Sequence, residues 1–439
     1  MSVVTPQLHA QHPQDRPVLR RARWAVSAVF FVNGASMCMV LPRYPELVDK
    51  LELSNAAFGL AIGLGPIGGL LAGLTAASLM KRFGTARLSV ALQVMASLFH
   101  LSIYASGSWA WLLGSLLFAS ACDAVTDISM NAHGMRVERR YRRSIMNSYH
   151  GWWSMGAVAG GLFGAVGAQV GLPLLWQGAI GFVLYASIAL AALRHHLPGH
   201  DSSERQVSSP SPVSAGEVLS EHHTPAQGRV GTAARQAMLT VVALGFVLVF
   251  TGSIEDAGSS WGALFMNATF DVSPFVAGLP FIAMQAAQMA GRFLGDGMVD
   301  RFGDRLTARI GSLLAVLGMC LALLLPHPVT AVVGFALAGW GIATLFPAAY
   351  RAADEIRGLP HGLGVTVVGW LARLGFFLSP PLVGWLADQL TLVRALWLVP
   401  VYALGILALS RVLDPRKDRH LAEQPSVESD PHHPQPERA

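Results

Sequence analysis

The chain has 439 residues, of which 53% are hydrophobic and only 13% charged, with a mean hydropathy of +0.46. A soluble domain carries about 25% charged residues, so this composition excludes an ordinary soluble globule. The formal net charge of +5 is spread over many short polar breaks rather than one basic stripe, which excludes a nucleic-acid surface.

Taken in chain order, apolar runs of spanning length recur, each closed by a short polar break. Spans are expected at 23–42, 55–80, 88–106, 109–135, 145–168 and 173–194, then at 236–265, 274–298, 306–325, 329–350, 362–386 and 393–412. About 20 apolar residues in a helix cross the hydrocarbon core, and lipid forces every backbone amide to pair within its own segment. The predicted fold class is an all-α polytopic membrane protein: twelve transmembrane helices as two six-helix bundles, at 22–194 and 236–412. Residues 1–21 read as an N-terminal tail, 195–235 as a linker rich in Ser, Pro, His and charge, and 413–439 as a disordered tail. Cys38, Cys122 and Cys320 each fall inside an apolar run, which fits small core thiols rather than a disulfide framework.

The basic residues occupy alternate breaks. Arg16, Arg20, Arg21 and Arg23 precede helix 1, and Lys81, Arg82 and Arg87 follow helix 2. Arg136, Arg139, Arg140, Arg142 and Arg143 follow helix 4, Arg301, Arg305 and Arg309 follow helix 8, and Arg351 and Arg357 follow helix 10. The opposite breaks hold only Arg43, Lys50 and Arg394. By the positive-inside rule both termini and the linker face the cytoplasm, as in a multi-pass protein of the bacterial inner membrane. The halves also echo each other: "KRFGTAR" after helix 2 matches "DRFGDR" after helix 8, and "HGWWSMG" in helix 5 is echoed by "VVGWLARLG" in helix 11. This is a parallel internal repeat.

Six plus six helices, a cytoplasmic linker and a basic-glycine turn after helices 2 and 8 resemble the major facilitator superfamily over residues 22–412. The family's loop motif is matched by Asp300, Arg301, Gly303 and Arg305 in the second half, with Gly295 one place early. In the first half it is matched by Arg82, Gly84 and Arg87, with Lys81 where the aspartate should stand. A tight turn between close helices needs glycine, and Asp300 is expected to meet the positive N-terminus of helix 5 near Ser144 to Asn147. Helix 5, "GWWSMGAVAGGLFGAVG", lacks the Gly-Pro signature of drug antiporters, so the chain is compared more readily with sugar-type or uncharacterised bacterial branches. The resemblance implies a secondary transporter that binds a small-molecule substrate within the lipid bilayer, works by alternating access, acts as a monomer and needs no cofactor.

The charges inside the spans carry the chemistry. "ACDAVTDISMNAH" places Asp123, Asp127 and Asn131 at spacings of four, on one helical face. A mid-bilayer charge costs about 2.5–3.5 kcal/mol on insertion scales, so that face should look into the bundle. A carboxylate there that gains and loses a proton is what proton coupling requires; the same residues also serve as plain interhelix bonds. In "SIEDAGSSWG", Glu255 and Asp256 lie about 100° apart, so one of them, Glu255, is expected to face the cavity, with Trp261 nearby and small residues that allow a bend. Arg373 in helix 11 needs an anion, whether a carboxylate or an acidic substrate. Asn33, Gln285 and Gln288 can bond a polar substrate, Trp153 can stack on a ring, and His150 can relay protons. Arg292 and Asp296 read as a structural pair, and the rows Gly59–Gly63, Gly65–Gly69–Gly73 and Gly156–Gly160–Gly164 allow close helix approach.

The resulting expectation is a secondary active transporter, not an enzyme, coupled to protons in the manner of a symporter. Proton coupling falls to Asp123, Asp127, Glu255 and His150, and substrate binding to Asn33, Asn131, Trp153, Trp261, Gln285, Gln288 and Arg373. Alternatives on the same fold are an uncoupled facilitator, a drug efflux antiporter or a non-transporting sensor. An intramembrane aspartyl protease is disfavoured because "FLGD" puts Phe293 where that motif has glycine, and a primary pump because no Gly-x-x-x-x-Gly-Lys-Ser/Thr loop occurs.

Overall fold

The computed structural model describes residues 15–141, 145–199, 227–356 and 363–413. Arg142, Arg143, Ser144, Arg357, most of the linker and the C-terminal tail lie outside the described residues, as do the side chains of Asn147 and Asp296.

Within that frame the chain crosses the bundle twelve times, all as helix. The first half comprises α1 (Asp15–Cys38), α2 (Asn55–Leu64, Pro66–Gly73 and Ala76–Phe83), α3 (Thr85–Ala105), α4 (Trp109–Tyr141), α5 (Met146–Gln169) and α6 (Leu174–Leu193). The second comprises α7 (Gln227–Asp256, continuing to Thr269), α8 (274–302), α9 (304–324), α10 (Pro328–Ile342 and Leu345–Asp354), α11 (Leu363–Gln389) and α12 (Leu392–Ala395 and Leu398–Leu409). Ten stretches are long and apolar enough to cross a membrane; α5 and α8 complete the twelve. Two boundaries differ from expectation. Helix α1 starts at Asp15, inside the expected tail, and α7 starts at Gln227, inside the expected linker. Apolar windows mark the lipid-crossing part of a helix, and polar turns extend it beyond the core.

The repeated loop has one backbone shape in both halves. Gly84 (φ 76°, ψ 153°) joins α2 to α3, and Gly303 (φ 77°, ψ 161°) joins α8 to α9. Only glycine adopts this region without strain, which explains the recurrence of glycine in "RFG". The residue after each glycine bonds the fourth helix of its own half: Thr85 Oγ1 meets His133 Nδ1 at 3.0 Å, and Arg351 donates to Asp304 at 2.7 Å.

Asp300 does not do what the motif implied. It is exposed, and the α5 N-terminus is instead capped from its own half: Glu138 accepts from the backbone N–H groups of Ile145 and Met146 at 2.6 and 2.8 Å. Arg82 and Arg301 are exposed too, each lying over the ring of the phenylalanine that follows it, while Arg305 is half-buried.

Glycines set how closely helices approach. Any Cβ on Gly156, Gly160 or Gly164 would collide with the α1 backbone or, at Gly164, with the Met39 carbonyl just beyond it, so that row packs α5 on α1 within one half. The two halves meet along two seams. In one, Gly59 and Gly63 of α2 pack on Pro380 and Phe377 of α11; in the other, Gly161 and Gly151 of α5 pack on Phe281 and Phe293 of α8. A buried core containing Phe58, Trp261 and Phe281 runs continuously from one half to the other.

Candidate functional site

A central cavity of about 220 Å³ lies where the two halves face each other. Its wall takes Cys38 from α1, Ile62 from α2, His100 from α3, Asp123 from α4 and Trp153 from α5. From the second half it takes Glu255, Asp256, Ser259 and Ser260 on α7, Gln285 on α8 and Phe376 on α11. Tyr44, past the end of α1, completes the wall at the side away from the basic loops.

Asp123 is held by a network that ties four helices of the first half. Asn33 Nδ2 donates to Asp123 Oδ1 at 2.7 Å and to Gln93 Oε1 at 3.0 Å, while Trp153 Nε1 donates to Asn33 Oδ1 at 2.8 Å. Gln93 in turn donates to Ser36 at 3.2 Å. Asn33 is buried with both amide hydrogens committed. Asn33 thus bonds Asp123 and Trp153, and those two border the cavity while Asn33 itself does not line it.

The α7 carboxylates also differ from the helical-wheel expectation, because both line the cavity. After Asp256 the helix passes through a π-helical turn, Ala257–Trp261, at the small residues where a bend was anticipated. Ser260 donates to Asp256 Oδ1 at 2.6 Å. The Glu255 carboxylate has no hydrogen bond or ion pair with any described residue.

Two other expected binding residues are placed elsewhere. Trp261 is fully buried, with its ring edge-on to Phe58 of the other half at 5.5 Å, so it plugs the seam. Gln288 is fully buried and does not border the cavity. Gln285 does border it, 5% exposed, with Oε1 unpartnered among the described residues.

Toward the basic loops, Asp127, Arg373 and His150 are exposed. Asn131 donates to Asp127 Oδ1 at 2.9 Å, so these two share a face as the spacing required. Asp127 on α4 and Arg373 on α11 face each other electrostatically across the halves, yet no carboxylate among the described residues lies within 4.0 Å of Arg373. Its guanidinium instead donates to the Gly369 carbonyl at 3.0 Å. His150 sits edge-on to Phe30 at 5.4 Å and faces Arg292 of the other half, which itself donates to Ser154 at 3.4 Å. At the basic end Asp127 and Arg373 thus make no ion pair across the halves, while α5 and α8 stay joined there through Arg292 and Ser154 and through Phe293 and Gly151. At the opposite end they are joined: Asp388 of α11 accepts from Asn55 and Ala56 of α2, and within the first half Arg43 bonds Gln177, Glu46 and the Leu172 carbonyl.

The model of the Major Facilitator Superfamily matches this chain twice, over residues 26–265 and 241–436. The chain belongs to the Major Facilitator Superfamily. Like other members, it is a multi-pass membrane transporter. It is 25% identical to "Uncharacterized transporter y4wD" of Sinorhizobium fredii, over 88% of this chain and 97% of that one. It is 27% identical to "Membrane protein MosC" of Rhizobium meliloti, over 91% of each. Its fold is similar to a bacterial homolog of the human lysosomal transporter Spinster, crystallised inward-facing and unoccupied (TM-score 0.68, 18% identity, 91% of this chain and 98% of that one). It is also similar to the nucleoside transporter NupG (TM-score 0.67, 12% identity, 90% and 98%).

Two residues that this Major Facilitator Superfamily member presents to its cavity were passed over in the sequence. His100 stands alone in the apolar run "SLFHLSIY", where an ionisable residue in a span is itself a signal. Asp256 was set aside in favour of its neighbour.

Proposed function

We propose that this protein is a proton-coupled secondary transporter that carries one small solute in the central cavity by alternating access. The observation that supports it most is the asymmetry of closure around that cavity: one end is latched by Asp388 and plugged by Trp261, while the other leaves Asp127 and Arg373 apart. Given the positive-inside rule, the basic end faces the cytoplasm together with both termini, in the inner membrane of a bacterium. The described conformation is then the inward-open one. Rocking one six-helix half on the other breaks the Asp388 latch and brings Asp127 to Arg373, so one inter-half polar contact is exchanged for another. The cavity stays at the pivot, and the protein works as a monomer.

Coupling runs through Asp123 and the α7 carboxylates Glu255 and Asp256, which share the cavity and so sense the solute directly. Asp127 becomes half of the inner gate, and His150, exposed toward the basic loops, passes protons toward Asp123. Asn131 steadies Asp127, and Arg373 closes on it.

The test follows pH in unbuffered detergent while purified protein meets a panel of sugars, organic acids and amines, for wild type and Asp123→Asn. A solute-linked proton signal that the variant loses supports coupling through Asp123. Solute binding with no proton signal in the wild type makes the protein a facilitator. For the gate, Asp127→Arg and Arg373→Asp should each abolish transport, and the charge-swapped double variant should restore part of it.

A further inference from the structure

The cavity wall is charged with one sign only. Asp123, Glu255 and Asp256 border it, and no lysine or arginine among the described residues does. Three carboxylates in one small space attract a cationic solute more strongly than a neutral one and repel an anion. The wall also holds acceptors with nothing to accept. Gln285 is 5% exposed with Oε1 unpartnered among the described residues, and the Glu255 carboxylate makes no hydrogen bond or ion pair with them. His100, 7% exposed, has an unpartnered Nδ1 on the same wall, which accepts or donates according to its tautomer. Buried polar groups left unpaired cost about 1–3 kcal/mol each, so the site is built for a ligand rich in N–H donors. Trp153 and Phe376 add π-faces that attract a cation at close range. At about 220 Å³ the space is below the roughly 300–1,000 Å³ of drug-sized pockets.

The geometry points to a small protonated amine as the solute of the central cavity, an assignment that rests on the transport reading above. The ammonium group sits among Glu255, Asp256 and Asp123, with Gln285 accepting a further N–H. The remainder of the solute lies against Trp153 and Phe376.

The test measures ligand-induced thermal shifts and dissociation constants of the purified full-length protein. Its probes are length-matched sets differing only in charge: putrescine, 1,4-butanediol and succinate, and likewise tyramine and agmatine with their hydroxyl and carboxylate counterparts. At least one amine should bind tenfold or more tightly than its neutral and anionic counterparts. Glu255→Gln should weaken that binding tenfold or more, and Asp256→Asn should weaken it as well. Asp271→Asn, an exposed carboxylate outside the cavity, should leave it within twofold. Each variant is first shown to keep the wild-type elution profile and melting temperature. A neutral or anionic counterpart that binds as tightly as its amine overturns the proposal, and so does a panel in which no amine binds. Counterflow into proteoliposomes separates the two readings. If a bound neutral solute exchanges, transport stands and the amine class falls. If a bound amine does not exchange, the amine class stands and the transport reading falls.

Discussion

Asp388, at the end of α11, caps the helix that Asn55 begins. Its carboxylate accepts from the Asn55 backbone N–H at 3.0 Å, the Asn55 side chain at 2.9 Å and the Ala56 N–H at 2.8 Å. A helix N-terminus leaves its first N–H groups without internal partners and favours negative charge. Here the charge comes from the opposite half, so the cap doubles as a latch. Removing a capping side chain costs about 0.5–2 kcal/mol. Asp388→Ala should therefore lower the ratio of latched to unlatched molecules by about 2- to 30-fold. Spin labels at Asp49 and Gln389, in a background without the three native cysteines, should show one short distance in the wild type and a second, longer one in the variant. An unchanged distribution would mean that the cap serves only α2.

The α2–α11 seam makes a contrasting pair of substitutions informative. A methyl group at Gly59 meets the Pro380 carbonyl, whereas one at Gly114, inside α4, has nothing within 4 Å. Overpacking a close contact costs about 1–3 kcal/mol, while Gly→Ala in open helix gains about 0.5–1 kcal/mol. Gly59→Ala should lower the melting temperature in detergent, and Gly114→Ala should hold or raise it. Equal effects would show that Gly59 is not a point of closest approach.

The fold was legible because its signals are local. Each crossing announces itself as an apolar run, and "RFG" betrays the repeat because a backbone torsion available only to glycine recurs at Gly84 and Gly303. Asp123 was legible for the same reason: a carboxylate in lipid must face inward. What the sequence does not carry is convergence. Asn33 looked like a free amide because its partners Gln93, Asp123 and Trp153 lie 60, 90 and 120 residues away on three other helices. Trp261 looked like a binding aromatic because nothing in its own helix reveals Phe58 across the seam. The spacing rule admitted one α7 carboxylate, yet Glu255 and Asp256 both line the cavity, immediately before the π turn.

The loop glycines allow a test that separates backbone strain from crowding. A Cβ at Gly303 would have open space around it, so any cost of substitution comes from φ 77° and ψ 161°. That region is essentially restricted to glycine and costs other residues about 1–3 kcal/mol. Asparagine tolerates ordinary left-handed turns but gains no relief here, because ψ is extended rather than helical. Gly303→Ala and Gly303→Asn should therefore lower the melting temperature by similar amounts. A clear rescue by asparagine would show that the turn relaxes to the common left-handed well.

The cap on α5 decides between the motif's implied partner and the one the fold uses. The loop motif assigns that helix N-terminus to Asp300, yet Glu138 already occupies the Ile145 and Met146 N–H groups from within the first half. The substitution has a clear physical origin: α4 continues to Tyr141, which carries Glu138 directly beneath the start of α5. Losing this cap should cost about 0.5–2 kcal/mol, so Glu138→Ala should lower the melting temperature and raise hydrogen exchange in the first turn of α5. Asp300→Ala, an exposed position, should leave both unchanged in this conformation. Should Asp300→Ala instead loosen α5 while Glu138→Ala does not, the motif's inter-half contact governs that helix, and Glu138 is the bystander.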